Sequence, residues 1–161
     1  MGETVCCVFG HRKIEVTEEL RARVRCAVRR LVVDEGVDTI LFGSKSRFDD
    51  LCHEVVSEER SAFPHLKRVY VRAEFPYLTK QYTEYLLESY EETYFPQGLE
   101  RAGHAVYVER NFEMIRRSQF CLIYYDPLYS PRGRKSGTKI AYDYAKKQER
   151  EIINLFPKGG T

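Results

Sequence analysis

Residues 119–148, QFCLIYYDPLYSPRGRKSGTKIAYDYAKKQ, limit the folds open to this chain more than any other stretch. Residues 120–125 form an almost unbroken apolar run, the pattern of a strand covered on both faces in a parallel sheet. A basic loop follows, and then Ile140, Ala141, Tyr144 and Ala145 recur at helical spacing, which gives that helix one packing face. Ser136-Gly137-Thr138 falls where the helix begins. Unpaired backbone N–H groups and the helix dipole attract an anion there, and Arg132, Arg134, Lys135 and Lys139 add positive charge. A phosphate suits this pattern. The same residues also suit a plain N-cap and turn, in which the serine only satisfies the helix end.

The rest of the chain repeats the alternation. Strands are expected over 4–9, 37–42, 68–73, 105–108, 120–125 and 151–156. Thr17 opens a first helix with the stripe Leu20, Val24, Ala27, Val28 and Leu31, whose arginines (Arg21, Arg23, Arg25, Arg29 and Arg30) read as a solvated face. Phe48, Leu51, Cys52, Val55 and Val56 mark a second helix, with Ser46 or Asp49 as its cap. Further helices are expected over 79–93, 112–117 (capped by Asn111) and 138–149. In the third helical stretch Tyr82, Leu86, Tyr90 and Tyr94 fall four apart, an aromatic stripe suited to packing or to a subunit interface. Strand-helix alternation predicts an α/β fold: a three-layer Rossmann-like sandwich with a mainly parallel six-stranded sheet and helices on both faces. One domain is expected over 1–156, with a flexible tail at 157–161.

Composition narrows the classes. The formal net charge of +2 is too small for a surface that coats nucleic acid, so any basic patch is local. No run approaches the roughly 18 apolar residues of a membrane span. The first residues read as a strand rather than a leader, and a cytoplasmic location is the expectation. Five cysteines occur without a CxxC pair or zinc spacing. Cys6, Cys7 and Cys121 lie in strand-like runs and Cys26 and Cys52 on apolar helix faces, so all five are expected to be small buried hydrophobes rather than metal ligands or disulfides.

In parallel α/β sheets ligands bind beyond the carboxyl ends of the strands, where the strand order switches. Gly10-His11-Arg12, the loop 43–49 with Gly43, Ser44 and Asp49, Glu74, and the loop to Ser136-Gly137-Thr138 all follow strands and are expected to converge on one edge. Neither GxGxxG after the first strand nor GxxxxGK[ST] is present, which argues against a conventional NAD dehydrogenase or P-loop ATPase. Phe9-Gly10-His11-Arg12, Gly43 with Asp49, and Ser136-Gly137-Thr138 together resemble the SLOG superfamily. That group unites the DNA-processing (Smf) proteins, YpsA-like proteins and Lonely Guy phosphoribohydrolases on a Rossmann-like fold, and the resemblance is nearest the YpsA-like members. It spans nearly the whole chain and implies a nucleotide-type ligand held by these loops, often in a homodimer. Two positions depart from the pattern: Arg47 stands at the second glycine of G-x-x-x-G-x-D, and Ala141 at the glutamate of G-G-x-G-T-x-x-E. Alanine cannot serve as an acid or base.

The leading expectation is therefore a domain that binds a nucleoside phosphate or ADP-ribose-like ligand as a sensor, without a further cofactor or metal. Ser136, Gly137 and Thr138 would hold its phosphate, Gly10 and Gly43 give it backbone room, Arg12 and Arg134 balance its charge, and Asp49 or Glu74 accept from ribose. One alternative is an N-glycosidase using Glu74 or Asp126. Another is a nucleic-acid-binding module using Arg12, Arg47, Arg132 and Arg134.

Overall fold

Burial on both faces, read first from residues 120–125, recurs in the central strands and fades at the edges. A computed structural model describes residues 2–43, 45–73 and 79–157, with Arg132 described by its backbone alone. Strands β1 (Val5–Gly10) and β2 (Thr39–Phe42) are buried at every position. With β3 (Lys67–Val71), β4 (Glu92–Tyr94), β5 (Phe120–Tyr124) and β6 (Glu151–Asn154) they form a six-stranded sheet of order β4-β3-β2-β1-β5-β6. Every neighbouring pair is parallel. Parallel strands need long connections, and helices α1 (Glu18–Val33), α2 (Arg47–Glu59), α3 (Lys80–Leu86), α4 (Val106–Arg117) and α5 (Gly137–Lys147) lie between successive strands.

The period-two alternation of strand side chains divides the core into two layers. Cys6, Val8, Ile40, Phe42 and Leu122 point to the side packed by α1 and α2, with Leu86 of α3 at its margin. Val5, Cys7, Phe9, Leu41 and Ile123 point to the side packed by Met114 and Ile115 of α4 and Ala141 and Ala145 of α5. The result is the expected three-layer Rossmann-like sandwich. Each fully buried Val, Leu, Ile or Phe contributes about 1.5–3 kcal/mol relative to exposure. No helix among the described residues is long and apolar enough to cross a membrane.

Four expectations need correction. The run 105–108 is not a strand but the start of α4, and Asn111 sits inside that helix rather than capping it. Its core-facing positions include Arg110, buried with Met114 and Ile115, and a cation in the apolar stripe masks the helical period. The fourth strand is instead Glu92–Tyr94, overlapping the end of the stretch expected to be helical to residue 93; α3 stops at Leu86. Side chains four apart fit a helix, but Glu91 is held to β3 by Arg68: Nη2 donates to Oε2 at 2.7 Å and the Arg68 N–H donates to Oε1 at 2.8 Å. That pairing draws the chain alongside β3. The arginines of α1 are only partly solvated, because Arg25 and Arg29 close on Glu59 of α2, whose side chain is 5% exposed. Cys26 is exposed, whereas Cys6, Cys7, Cys52 and Cys121 are buried free thiols. The tail expected at 157–161 falls outside the described residues from position 158.

Candidate functional site at the β1–β5 switch

Strand order reverses between β1 and β5, which are neighbours in the sheet and far apart in sequence. The loops leaving their carboxyl ends diverge, and a cavity of about 450 Å³ opens between them. That volume lies within the roughly 300–1,000 Å³ usual for small-molecule sites. Its floor is Phe9 and Gly10 at the end of β1, with His11 and Arg12 after it. Lys45 and Ser46 from the loop before α2 form one wall, and Lys135 and Ser136-Gly137-Thr138 the opposite one. Tyr129, Pro131 and Asn111 complete the rim. Arg12, Lys45 and Lys135 are cationic, and no carboxylate is among the described lining residues.

The start of α5 is chemically incomplete. Ser136 is its N-cap, and its Oγ accepts from the Lys139 N–H at 3.0 Å. The first-turn N–H groups of Gly137 and Thr138 have no intrahelical partner, and no protein acceptor meets either among the described residues. No acidic residue occupies the first turn. Lys139, a candidate charge for the loop, is engaged by Asp143 at 2.9 Å. A Cβ added at Gly137 would meet nothing within 4 Å, so the helix end is open. These features leave a positively polarised helix start without a protein acceptor among the described residues.

His11 fixes the facing loop. It is 5% exposed, and its Nε2 accepts from the Asp126 N–H at 2.9 Å. An imidazole that accepts at Nε2 is neutral and carries its proton on Nδ1, and burial lowers its pKa from the usual histidine value, opposed by the charge of Asp126. Asp126 in turn organises 126–129: its Oδ1 accepts from the Leu128 N–H at 2.9 Å and its carbonyl from the Tyr129 N–H at 3.0 Å. The Tyr129 ring returns to lie 4.5 Å from the imidazole. Asp126 is thus a turn-forming carboxylate outside the described cavity lining, the ordinary role of Asp in such loops.

Of the residues expected to build the site, His11, Arg12, Ser136, Gly137 and Thr138 converge with Gly10 on the cavity. Gly10 and Gly43 also have a packing use, and Gly43 is not among the described lining residues. A Cβ on Gly10 would lie 2.4 Å from the Phe48 Cβ, and one on Gly43 2.8 Å from the Met114 sulfur and 3.0 Å from Cδ of Arg110. Both glycines make room for the protein's own helices, and Gly10 also lines the cavity. Asp49 is buried in the first turn of α2, where its Oδ1 accepts from the Ser46 hydroxyl at 3.0 Å, and it does not line the cavity. Arg134 is exposed and away from the lining, and Arg47 turns to Glu54 at 3.7 Å. Ser44, Glu74 and the side chain of Arg132 lie outside the described residues.

Sequence reasoning did not select Lys45, Asn111, Tyr129 or Arg110. Arg110 is 3% exposed; its Nη1 donates to the Val71 carbonyl at 3.2 Å and its Nε to Asn111 Oδ1 at 2.9 Å. It brings a cation to the carboxyl end of β3 and orients Asn111 at the rim. The sign of it in the sequence was an arginine at the helical spacing of Met114 and Ile115.

No family model matches the chain, and no curated protein matches it.

Proposed function

We propose that the cavity at the β1–β5 switch binds the phosphate of a nucleotide or nucleotide-derived ligand, and that the chain acts as a sensor or regulatory domain rather than a catalyst. A Rossmann-like fold is compatible with nucleotide binding in general. The observation that carries the finer reading is the unfilled start of α5, with two first-turn N–H groups open to a cavity whose charged lining is cationic. A phosphate would accept from Gly137 and Thr138, gain from the helix dipole, and draw on Arg12, Lys45 and Lys135. The likeness to the SLOG superfamily, homodimer included, is part of the same proposal and rests on the motifs at Gly10, Gly43 and Ser136-Gly137-Thr138. A glycosidase reading has less support, since Ala141 replaces the glutamate of that motif and Asp126 is bound within its own turn.

Thermal shift and calorimetry with AMP, ADP-ribose and NAD test the proposal. A ligand at 100-fold its Kd raises stability by about 2.7 kcal/mol. The gain is expected for at least one nucleotide and is expected to vanish in Gly137→Asp. Absence of any shift across millimolar nucleotides would sink it.

A further inference from the structure

Beside the first cavity lies a second of about 420 Å³, and Lys45 is the described residue that lines both. Its lining is richer in tyrosine and includes a carboxylate, which its neighbour's lacks among the described residues. Tyr82 and Tyr85 from α3 form one side, and Tyr70, Tyr90 and His53 the floor. The floor is held by its own packing: the Tyr90 ring lies 4.7 Å from His53 and 5.3 Å from Tyr70, and the His53 Nε2 bonds the Ser89 carbonyl at 2.9 Å. Tyr85, by contrast, is 65% exposed, and its ring lies within 21° of parallel to that of Tyr82 at 6.4 Å. The exposed Tyr85 ring lines the cavity and can stack on a planar group there. Asp50 lines this cavity too, which disfavours an anion and supplies an acceptor for an amine.

We infer that this cavity is the nucleobase subsite of the same ligand: it takes an amino-bearing purine against Tyr82 and Tyr85, with Asp50 accepting from the exocyclic amine. The inference rests on the phosphate reading for the other end of the molecule, and Lys45 at the seam faces the sugar-phosphate between them. A cationic cavity and an aromatic cavity sharing one lysine match a ligand that is anionic at one end and planar at the other.

Calorimetry on the full chain with ribose 5-phosphate, AMP and adenosine, repeated with Tyr85→Ala, separates the two proposals. Base–aromatic stacking is worth about 5- to 150-fold in affinity. AMP is expected to bind at least about fivefold more tightly than ribose 5-phosphate, and Tyr85→Ala to erase that margin while leaving ribose 5-phosphate unchanged. Tyr85 is exposed, so the variant is expected to fold, which circular dichroism checks. Equal affinity of AMP and ribose 5-phosphate in the wild type overturns the base subsite and spares the phosphate site. Adenosine binding that is lost in Tyr85→Ala, with ribose 5-phosphate inert, supports the base subsite and removes the phosphate site. If none of the probes binds, both fall.

Discussion

Two helices begin at the same cavity, and their first turns are built alike and finished differently. Both α2 and α5 follow a serine N-cap whose Oγ accepts from the N–H three residues on, at 3.0 Å in each. In α2 the end is closed from within. Asp49 and Asp50 bring negative charge to the first turn, the Arg47 N–H donates to the Arg12 carbonyl at 2.9 Å, and Phe48 fills the space over Gly10. In α5 none of this is supplied: no acidic residue, open space at Gly137, and amides without a protein acceptor among the described residues. A helix end carries the same partial positive charge wherever it occurs, yet the protein sets its own carboxylates beside one and none in the first turn of the other.

The closed end is structural, and breaking it has the largest expected effect. Phe48 is fully buried, so Phe48→Ala should cost roughly 3–5 kcal/mol in urea denaturation. Gly10→Ala places a methyl 2.4 Å from the Phe48 Cβ, an atom too near the backbone to move aside, and should cost about 3 kcal/mol. A cost below about 1 kcal/mol for Gly10→Ala would show that this glycine is not there for packing.

Removing the two caps sharpens the contrast. Ser136→Ala is expected to cost about 1 kcal/mol, the ordinary value of an N-cap. Ser46→Ala should cost about 2 kcal/mol, because buried Asp49 also loses the hydroxyl that donates to it. Equal losses in chemical denaturation would mean that Asp49 draws nothing extra from Ser46.

The same contrast explains what the sequence could and could not show. The strand of 120–125 and the Ser136 cap were legible because apolar runs and capping residues are local signals. So was the parallel sheet, since alternation leaves few topologies. The purposes of Gly10 and Gly43 were not legible. A glycine reads identically whether it admits a ligand or the side chain of a residue far along the chain, and Phe48, Arg110 and Met114 are distant partners of that kind. Glu91 pulling Tyr94 into a strand, and Arg110 hidden in the apolar stripe of α4, are also tertiary effects that override local pattern.

Acid should loosen the loop that faces α5. Burial lowers the pKa of His11, so the unfolded chain takes up the proton first as pH falls. The contribution of His11 is then complete above the unfolded value of about 6.5 and is lost as pH drops below it toward the folded value. Protonation also removes the Nε2 lone pair that accepts from Asp126. His53 shifts in the same direction through burial, but an imidazole that donates to the Ser89 carbonyl keeps that bond when charged. His11→Gln retains an acceptor and does not titrate, so its stability should fall less between pH 7 and 5 than that of the wild type. Parallel pH profiles would remove His11 from the account.

The smallest effect on stability is the most telling for function. Gly137→Asp gives α5 the internal carboxylate that α2 already has, in a position where a new side chain meets nothing within 4 Å. Charge near a helix N-terminus is worth about 0.3–1 kcal/mol, so the ligand-free protein should become slightly more stable. The same carboxylate would occupy the place of the anion and repel it, so nucleotide-dependent stabilisation should disappear. Conversion of the open end into a closed one thus separates stability from binding in opposite directions. A Gly137→Asp variant that still gains stability from nucleotide to the wild-type extent would show that the ligand does not rest on α5, and the difference between the two helix ends would be one of local charge alone.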